Sequence, residues 1–233
     1  MDPEKLQSLK AGYDKVAAHY VERIFNELDH KPLDRLLLDR FAESIGSSGR
    51  TCDVGCGPGH VTNYLRKRGV NVFGIDLSSA MVDQARQLCP GIEFKTGNML
   101  SLDLESESLA GIVAFYSIIH VPRVVVVNAL AEMKRVLEPG GRLLLAFHIG
   151  DEILHLDEWW EEPVSVDFVF FKPDEMRNYL ERAGLEIEEV IEREPYPDVE
   201  HPSRRAYIFS SALLGADCGA LFNAARTNFL RTP

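Results

Sequence analysis

The chain has 233 residues, 45% hydrophobic and 26% charged, with 36 acidic against 25 basic side chains for a formal net charge of −11. That length and balance suit one soluble α/β unit with a substantial core, and the acidity argues against an extended nucleic-acid surface, which needs clustered cations. No stretch approaches the ~20 apolar residues of a membrane span, and Met1-Asp2-Pro3-Glu4-Lys5 does not read as a leader, so a cytoplasmic location without membrane contact is expected.

Residues 1–48 read as a helical cap. Tyr13, Asp14, Ala17 and Tyr20 recur at three- and four-residue spacing and share one helical face. Pro32 opens a second helix carrying Leu33, Leu36, Leu37 and Phe41 at helical spacing, and Gly46-Ser47-Ser48-Gly49 breaks it.

A first strand then runs into Asp53-Val54-Gly55-Cys56-Gly57-Pro58-Gly59-His60. Alternate glycines let a chain turn tightly and let a ligand approach the backbone, and the helix that follows aims its free N–H groups into the same space. A dinucleotide fingerprint needs its third glycine where His60 stands. Asp53 beside the loop suits a cationic ligand better than a phosphate.

Val70 to Asp76 form a second strand ending in an acid, placed to accept from both hydroxyls of a ribose. Ser78 or Ser79 caps the next helix. Ile92 to Met99 read as a third strand and its exit turn, and the Asn98 carbonyl is able to accept from an amino group. Leu109 to Ser117 are a nearly continuous apolar run, as expected of a strand covered on both faces. Tyr116, Ser117 and His120 follow it at the carboxyl edge, where open α/β sheets bind ligands.

A helix through Val126, Leu130, Met133 and Leu137 leads to Pro139-Gly140-Gly141, expected as a sharp reversal before a fifth strand ending at His148. Residues 149–173 hold Trp159, Trp160, Phe168, Phe170 and Phe171, and read as an insertion above the binding edge. A helix from Pro173 and two strands, Leu185–Ile191 and Arg205–Phe209, close the chain, followed by a tail over 213–233. Cys52, Cys56, Cys89 and Cys218 are too few and scattered for a disulfide framework. Gly59 stands where a three-cysteine iron–sulfur motif would need its last member.

The acid-x-Gly-x-Gly-x-Gly loop from Asp53, the Tyr13-to-Tyr20 segment, Asp76, the fourth-strand exit and Leu137-Glu138-Pro139-Gly140-Gly141 together resemble the class I S-adenosylmethionine (SAM)-dependent methyltransferases, in their small-molecule branch. The resemblance covers roughly residues 10–210. It implies a Rossmann-like α/β fold: a seven-stranded mixed sheet, mostly parallel with an antiparallel last strand, and helices on both faces. It divides the chain into a cap over 1–48, a SAM-binding core over 49–148, a lid over 149–173 and a completing helix and hairpin over 174–212.

SAM is the implied cofactor and S-adenosylhomocysteine its product, held by Tyr13, Tyr20, Asp53, Gly55, Cys56, Gly57, Gly59, Asp76, Leu77, Met81, Asn98, Met99, Tyr116, Ser117 and His120. If the acceptor is an oxygen acid, His148 and then His155 are candidate general bases. No metal is implied. The aromatic insertion suggests a small hydrophobic or aromatic acceptor with an O or N nucleophile, and the assembly is expected to be a monomer or homodimer. Two other readings share many of these residues: a non-catalytic binder of SAM or S-adenosylhomocysteine, and a nicotinamide-dependent oxidoreductase.

Overall fold

The structure, a computed structural model, describes residues 1–46 and 49–213. The expected tail from residue 214, with Cys218, lies outside the described residues, as do Ser47 and Ser48. The elements follow in the order α1 (Pro3–Ile24), α2 (Pro32–Ile45), β1 (Arg50–Val54), α3 (His60–Lys67), β2 (Asn71–Asp76), α4 (Ser79–Leu88), β3 (Phe94–Thr96) and β4 (Leu109–Phe115). Then come α5 (Val126–Val136), β5 (Leu137–His148), β6 (Ile153–Trp159), β7 (Glu162–Val169), α6 (Pro173–Arg182), β8 (Leu185–Arg193) and β9 (Arg205–Ala212).

Seven strands form one sheet in the order β3-β2-β1-β4-β5-β9-β8, and β6 pairs with β7 as a separate antiparallel hairpin. The pairs from β3 through β5 are parallel. β9 runs antiparallel to both of its neighbours, β5 and β8. The strand order reverses between β1 and β4, and that switch point opens a crevice above the carboxyl ends of the strands.

Alternation along the central strands fills both faces of the sheet. Ile112 and Ala114 of β4 join Leu130 and Met133 of α5 and Met176 and Leu180 of α6 in one buried cluster. Val113 and Phe115, one residue out of phase, join Leu37, Leu38 and Phe41 of α2 and Val61 and Leu65 of α3 on the other face.

Two expectations gain detail. α5 ends at Val136, and the span assigned to β5 already begins at Leu137. The pairing jumps from Leu109↔Leu137 to Gly111↔Arg142, so residues 138–141 loop out of the ladder as a tight turn, with Pro139 followed by Gly140 at φ +79. A Cβ on Gly141 would lie 2.8 Å from the Glu138 carbonyl oxygen and 3.0 Å from that of Leu109. The third strand is only Phe94–Thr96, a short edge paired to β2 alone.

Candidate active site

The loop after β1 is stitched to β2 by its backbone: the N–H groups of Gly55 and Cys56 both donate to the Ile75 carbonyl, at 2.7 and 3.1 Å. Its three glycines all have positive φ, each with a different neighbour. A Cβ on Gly55 would overlap the Ser117 side chain, and one on Gly59 would press on Phe94 at 2.8 Å. At Gly57 a Cβ would meet only the Tyr20 ring, at 3.9 Å, so the backbone there is bare toward a cavity of about 290 Å³.

Asp76 ends β2 on the wall of this cavity. Its carboxylate accepts the Gly57 and Ser78 N–H groups, each at 2.8 Å, on different oxygens. A carboxylate oxygen takes two hydrogen bonds, so each keeps capacity for another donor. Burial raises the Asp76 pKa to about 6, against the lowering effect of those N–H bonds. Leu77, Asn98, Met99 and Leu100 continue this wall, and the Asn98 carbonyl already accepts from the Leu100 N–H at 3.0 Å.

The roof comes from α1 and the hairpin. Tyr13 stands edge-on to Trp159 at 5.3 Å and to His120 at 5.1 Å, and Trp159 in turn meets Tyr20 and Phe168. A clasp fixes this arrangement. His120 Nδ1 lies 3.0 Å from the Asp167 carbonyl, which only accepts, so Nδ1 carries the proton. Nε2 is then the acceptor for the Tyr13 hydroxyl at 2.6 Å. Burial lowers the His120 pKa to about 4, in keeping with a neutral ring.

Asp14, next to Tyr13, does not reach the cavity. It accepts from Ser78 Oγ at 2.6 Å and the Ala80 N–H at 3.1 Å, bracing α1 against the start of α4.

The opposite wall lies over β4, β5 and β9. Tyr116 leaves β4 at φ +53, a strained conformation for a bulky residue that turns the chain at the strand exit. Its hydroxyl is turned away to Asp34 and Tyr207, at 3.2 and 2.8 Å. Lys31 Nζ and the Arg205 guanidinium flank its ring, 5.5 and 5.7 Å from the centroid.

Lys31 bridges Glu27 at 2.6 Å and Glu200 at 3.3 Å. Glu200 also pairs with Arg193 and Arg205, and Arg193 reaches Asp34 at 2.9 Å. Burial raises the carboxyl pKa values of Glu27 and Glu200, but the His60 bond and Lys31 outweigh it for Glu27, and Arg193 for Glu200, leaving each at about 2.

His148, at the end of β5, stacks on Phe170 at 4.9 Å with Nδ1 2.8 Å from Ser203 Oγ. Burial first, then the charge of Arg205, depress its pKa to about 2.

Of the residues singled out from sequence, Tyr13, Tyr20, Gly55, Cys56, Gly57, Asp76, Leu77, Asn98, Met99, Tyr116, Ser117, His120 and His148 line this one cavity. Asp53, Gly59, Met81 and His155 are not part of its walls. Asp53 is 1% exposed and accepts from Thr62 Oγ1 at 2.6 Å, and Met81 is buried at 1%. His155 sits on the outer side of the hairpin between Asp157 and Asp167, in a second groove with Lys5 and Ser8.

Glu27, Lys31, His60, Glu200, His201 and Arg205 line the cavity without having been singled out. The one signal available was position, since His60 ends the glycine loop and Arg205 opens β9. Among the described residues no cluster of His, Cys, Asp or Glu is poised for a metal ion, and no helix is long and apolar enough to cross a membrane.

Residues 52–141 match the family described as "Methyltransferase domain". The sheet order and this match support the resemblance to the class I SAM-dependent methyltransferases. A malonyl-[acyl-carrier protein] O-methyltransferase of Enterobacter lignolyticus is 28% identical over 165 residues, 69% of this chain and 61% of that protein. A ubiquinone biosynthesis O-methyltransferase of Xylella fastidiosa is 28% identical over 220 residues, 78% of this chain and 85% of that protein. The chain thus spans less than two thirds of the first of these relatives. Among solved structures, a SAM-dependent methyltransferase of Methanosarcina mazei has the same fold, with a TM-score of 0.68 at 20% identity over 76% of this chain and 98% of that one.

Proposed function

We propose that this protein transfers the methyl group of SAM to a small-molecule acceptor, with cofactor and acceptor sharing the cavity above the β1–β4 switch point. The observation that carries this reading is the continuity of that cavity: it runs from Gly57 and Asp76 to Tyr116 and His148 under one aromatic roof. The bare backbone at Gly57 leaves room for the methionyl chain, and Asp76 has lone pairs left for two ribose hydroxyls. Leu77 and Met99 offer apolar walls to an adenine ring. These residues fit the cofactor.

When bound, the sulfonium supplies an electrophilic methyl, which an acceptor lone pair takes as the C–S bonding pair returns to sulfur, leaving S-adenosylhomocysteine. The chain's own task is orientation and exclusion of water, and orientation alone is worth up to ~7–11 kcal/mol in favourable cases. The roof of Tyr13, Tyr20, Trp159 and Phe168 excludes water and favours a hydrophobic or aromatic acceptor with an oxygen or nitrogen nucleophile. His148, kept neutral by burial and the charge of Arg205, lines the acceptor end and aligns that nucleophile, whose proton passes to solvent. His155, outside the cavity, has no part in this proposal.

The test is calorimetric titration with SAM and S-adenosylhomocysteine. Wild type is expected to bind both at micromolar levels, and Asp76→Ala to lose at least about tenfold, the scale of a charge-assisted pair of hydrogen bonds. A folded wild type that binds neither overturns the proposal.

A further inference from the structure

His148 carries an unspent nitrogen at the acceptor end of the cavity. Its ring lines the wall, stacked on Phe170 at 4.9 Å and flanked by Tyr116 at 5.4 Å. Nδ1 is held by Ser203 Oγ at 2.8 Å, whereas Nε2 is accessible and has no partner among the described residues. Burial and the charge of Arg205 keep the imidazole neutral. What Nε2 offers a ligand is then set by which nitrogen holds the ring's one proton.

Ser203 makes that choice. Its hydroxyl has one proton to give and two lone pairs to fill. Three groups surround Oγ: Arg205 Nη1 at 2.6 Å, His148 Nδ1 at 2.8 Å and His201 Nδ1 at 3.2 Å. The guanidinium only donates, so it takes one lone pair. The hydroxyl proton goes to one histidine, and the other histidine donates to the second lone pair. His148 is the nearer of the two, and Arg205 is its register partner on β9. A cation donating to the same oxygen attracts a ring lone pair and repels a ring N–H. His148 Nδ1 is therefore the acceptor, and His201, exposed where water screens that field, is the donor.

Resting on the methyl-transfer reading, we propose that Ser203 fixes the His148 proton on Nε2, so that the cavity wall presents an N–H donor and selects an ionised oxygen acid, rather than an amine, as methyl acceptor. A neutral amine has one lone pair, and spent on the His148 N–H it cannot attack a methyl group. An oxygen anion has three. One accepts from Nε2 while another forms the O–C bond, and the C–S bonding pair returns to sulfur. The acid has lost its proton to solvent before binding, so oxygen and sulfur both end neutral. A neutral hydroxyl finds no base at this position, because Nε2 already carries a proton. Ser203 is thus a positioning residue that acts through His148.

The experiment uses the full chain, labelled with nitrogen-15 histidine and saturated with S-adenosylhomocysteine. Two-bond proton–nitrogen NMR correlations show which His148 nitrogen is protonated, with His148→Phe assigning the signals. Wild type is expected to hold the proton on Nε2, Ser203→Ala to shift it toward Nδ1, and Ser203→Thr to restore the wild-type pattern. An isosteric pair of probes, 4-nitrophenol and 4-nitroaniline, reads the selectivity in buffer alkaline enough to ionise the phenol. Wild type should bind the phenolate about tenfold or more tightly than the amine, the strength of a charge-assisted hydrogen bond, and Ser203→Ala should lose most of that preference. A wild-type proton on Nδ1, or equal binding of the two probes, or failure of both at millimolar concentration overturns the proposal. So does a tautomer or a phenolate preference that is unchanged in folded Ser203→Ala. If Ser203→Ala does not fold, the wild-type tautomer and probe pair decide alone. Failure of wild type to bind S-adenosylhomocysteine would instead strike the methyl-transfer reading, so the two failures are told apart.

Discussion

Under the proposed function, one carboxylate, that of Asp76, serves both loop and ligand. It holds the glycine loop through Gly57 and caps the turn into α4 through Ser78, so part of its hydrogen-bonding capacity is committed before any nucleoside arrives. Burial raises its pKa to about 6. Two ribose hydroxyls donate only to the ionised form in full, so ligand binding favours loss of that proton. The affinity for S-adenosylhomocysteine should therefore be level above pH ~7 and weaken as pH falls through 6, approaching tenfold per unit for one linked proton. Proton release measured near pH 6, by calorimetry in buffers of different ionisation enthalpy, checks the sign. Uptake instead of release, or an affinity flat from pH 8 to 5, would refute it. His120 differs in kind: its tautomer is fixed by a carbonyl on one side, and its free lone pair is already taken by Tyr13.

At the scale of elements, the hairpin β6–β7 and helix α1 close on each other through one small residue. A Cβ on Gly12 would lie 2.7 Å from Val166 Cγ2 of β7. On an open helix surface Gly12→Ala would gain about 1 kcal/mol of helix propensity. Here overpacking costs about 1–3 kcal/mol instead, and the hairpin has to shift. The chain's two tryptophans, Trp159 and Trp160, both sit in this hairpin, so intrinsic fluorescence reads it alone. Gly12→Ala is expected to red-shift the emission and weaken S-adenosylhomocysteine binding, whereas unchanged emission with a raised melting temperature would show that the two elements are not in contact. The sequence exposed only half of this arrangement. The glycine loop, Asp76 and the Tyr116–Ser117 exit were legible because each directly follows a strong strand signal. His155 reads as a lid residue, yet it is one position out of phase with Leu154 and Leu156, and strand alternation turns it outward. The wall of Glu27, Lys31, Glu200 and Arg205 left no local trace, because it joins two segments far apart in sequence, 27–31 and 200–205, the second placed there by β9 between β5 and β8.

For the whole molecule, the buried titratable groups set a particular response to acid. Asp53 and Asp76 are raised to about 6, in both cases by burial. Each takes up a proton in the folded state first, so each adds stability as pH falls from about 6 to about 4. His120 and His148 are depressed to about 4 and about 2, again by burial. Each protonates first in the unfolded chain, so each removes stability as pH falls below about 6.5. Across the range of about 5 to 6 the two pairs largely offset one another. Below it Glu27 and Glu200, held at about 2, begin to protonate in the unfolded chain alone, and the contribution of the histidines continues while that of the aspartates ends. The melting temperature should thus change little from about pH 6 to 5 and fall increasingly steeply below that, with the loss reaching about two protons per molecule near pH 3.5. His120→Phe tests the balance, because it removes one opposing group: its melting temperature should rise between about pH 6 and 5, where that of wild type changes little. A wild type that loses stability steadily from pH 6.5 downward would show that the two aspartates do not carry the raised affinity for protons that their burial gives them.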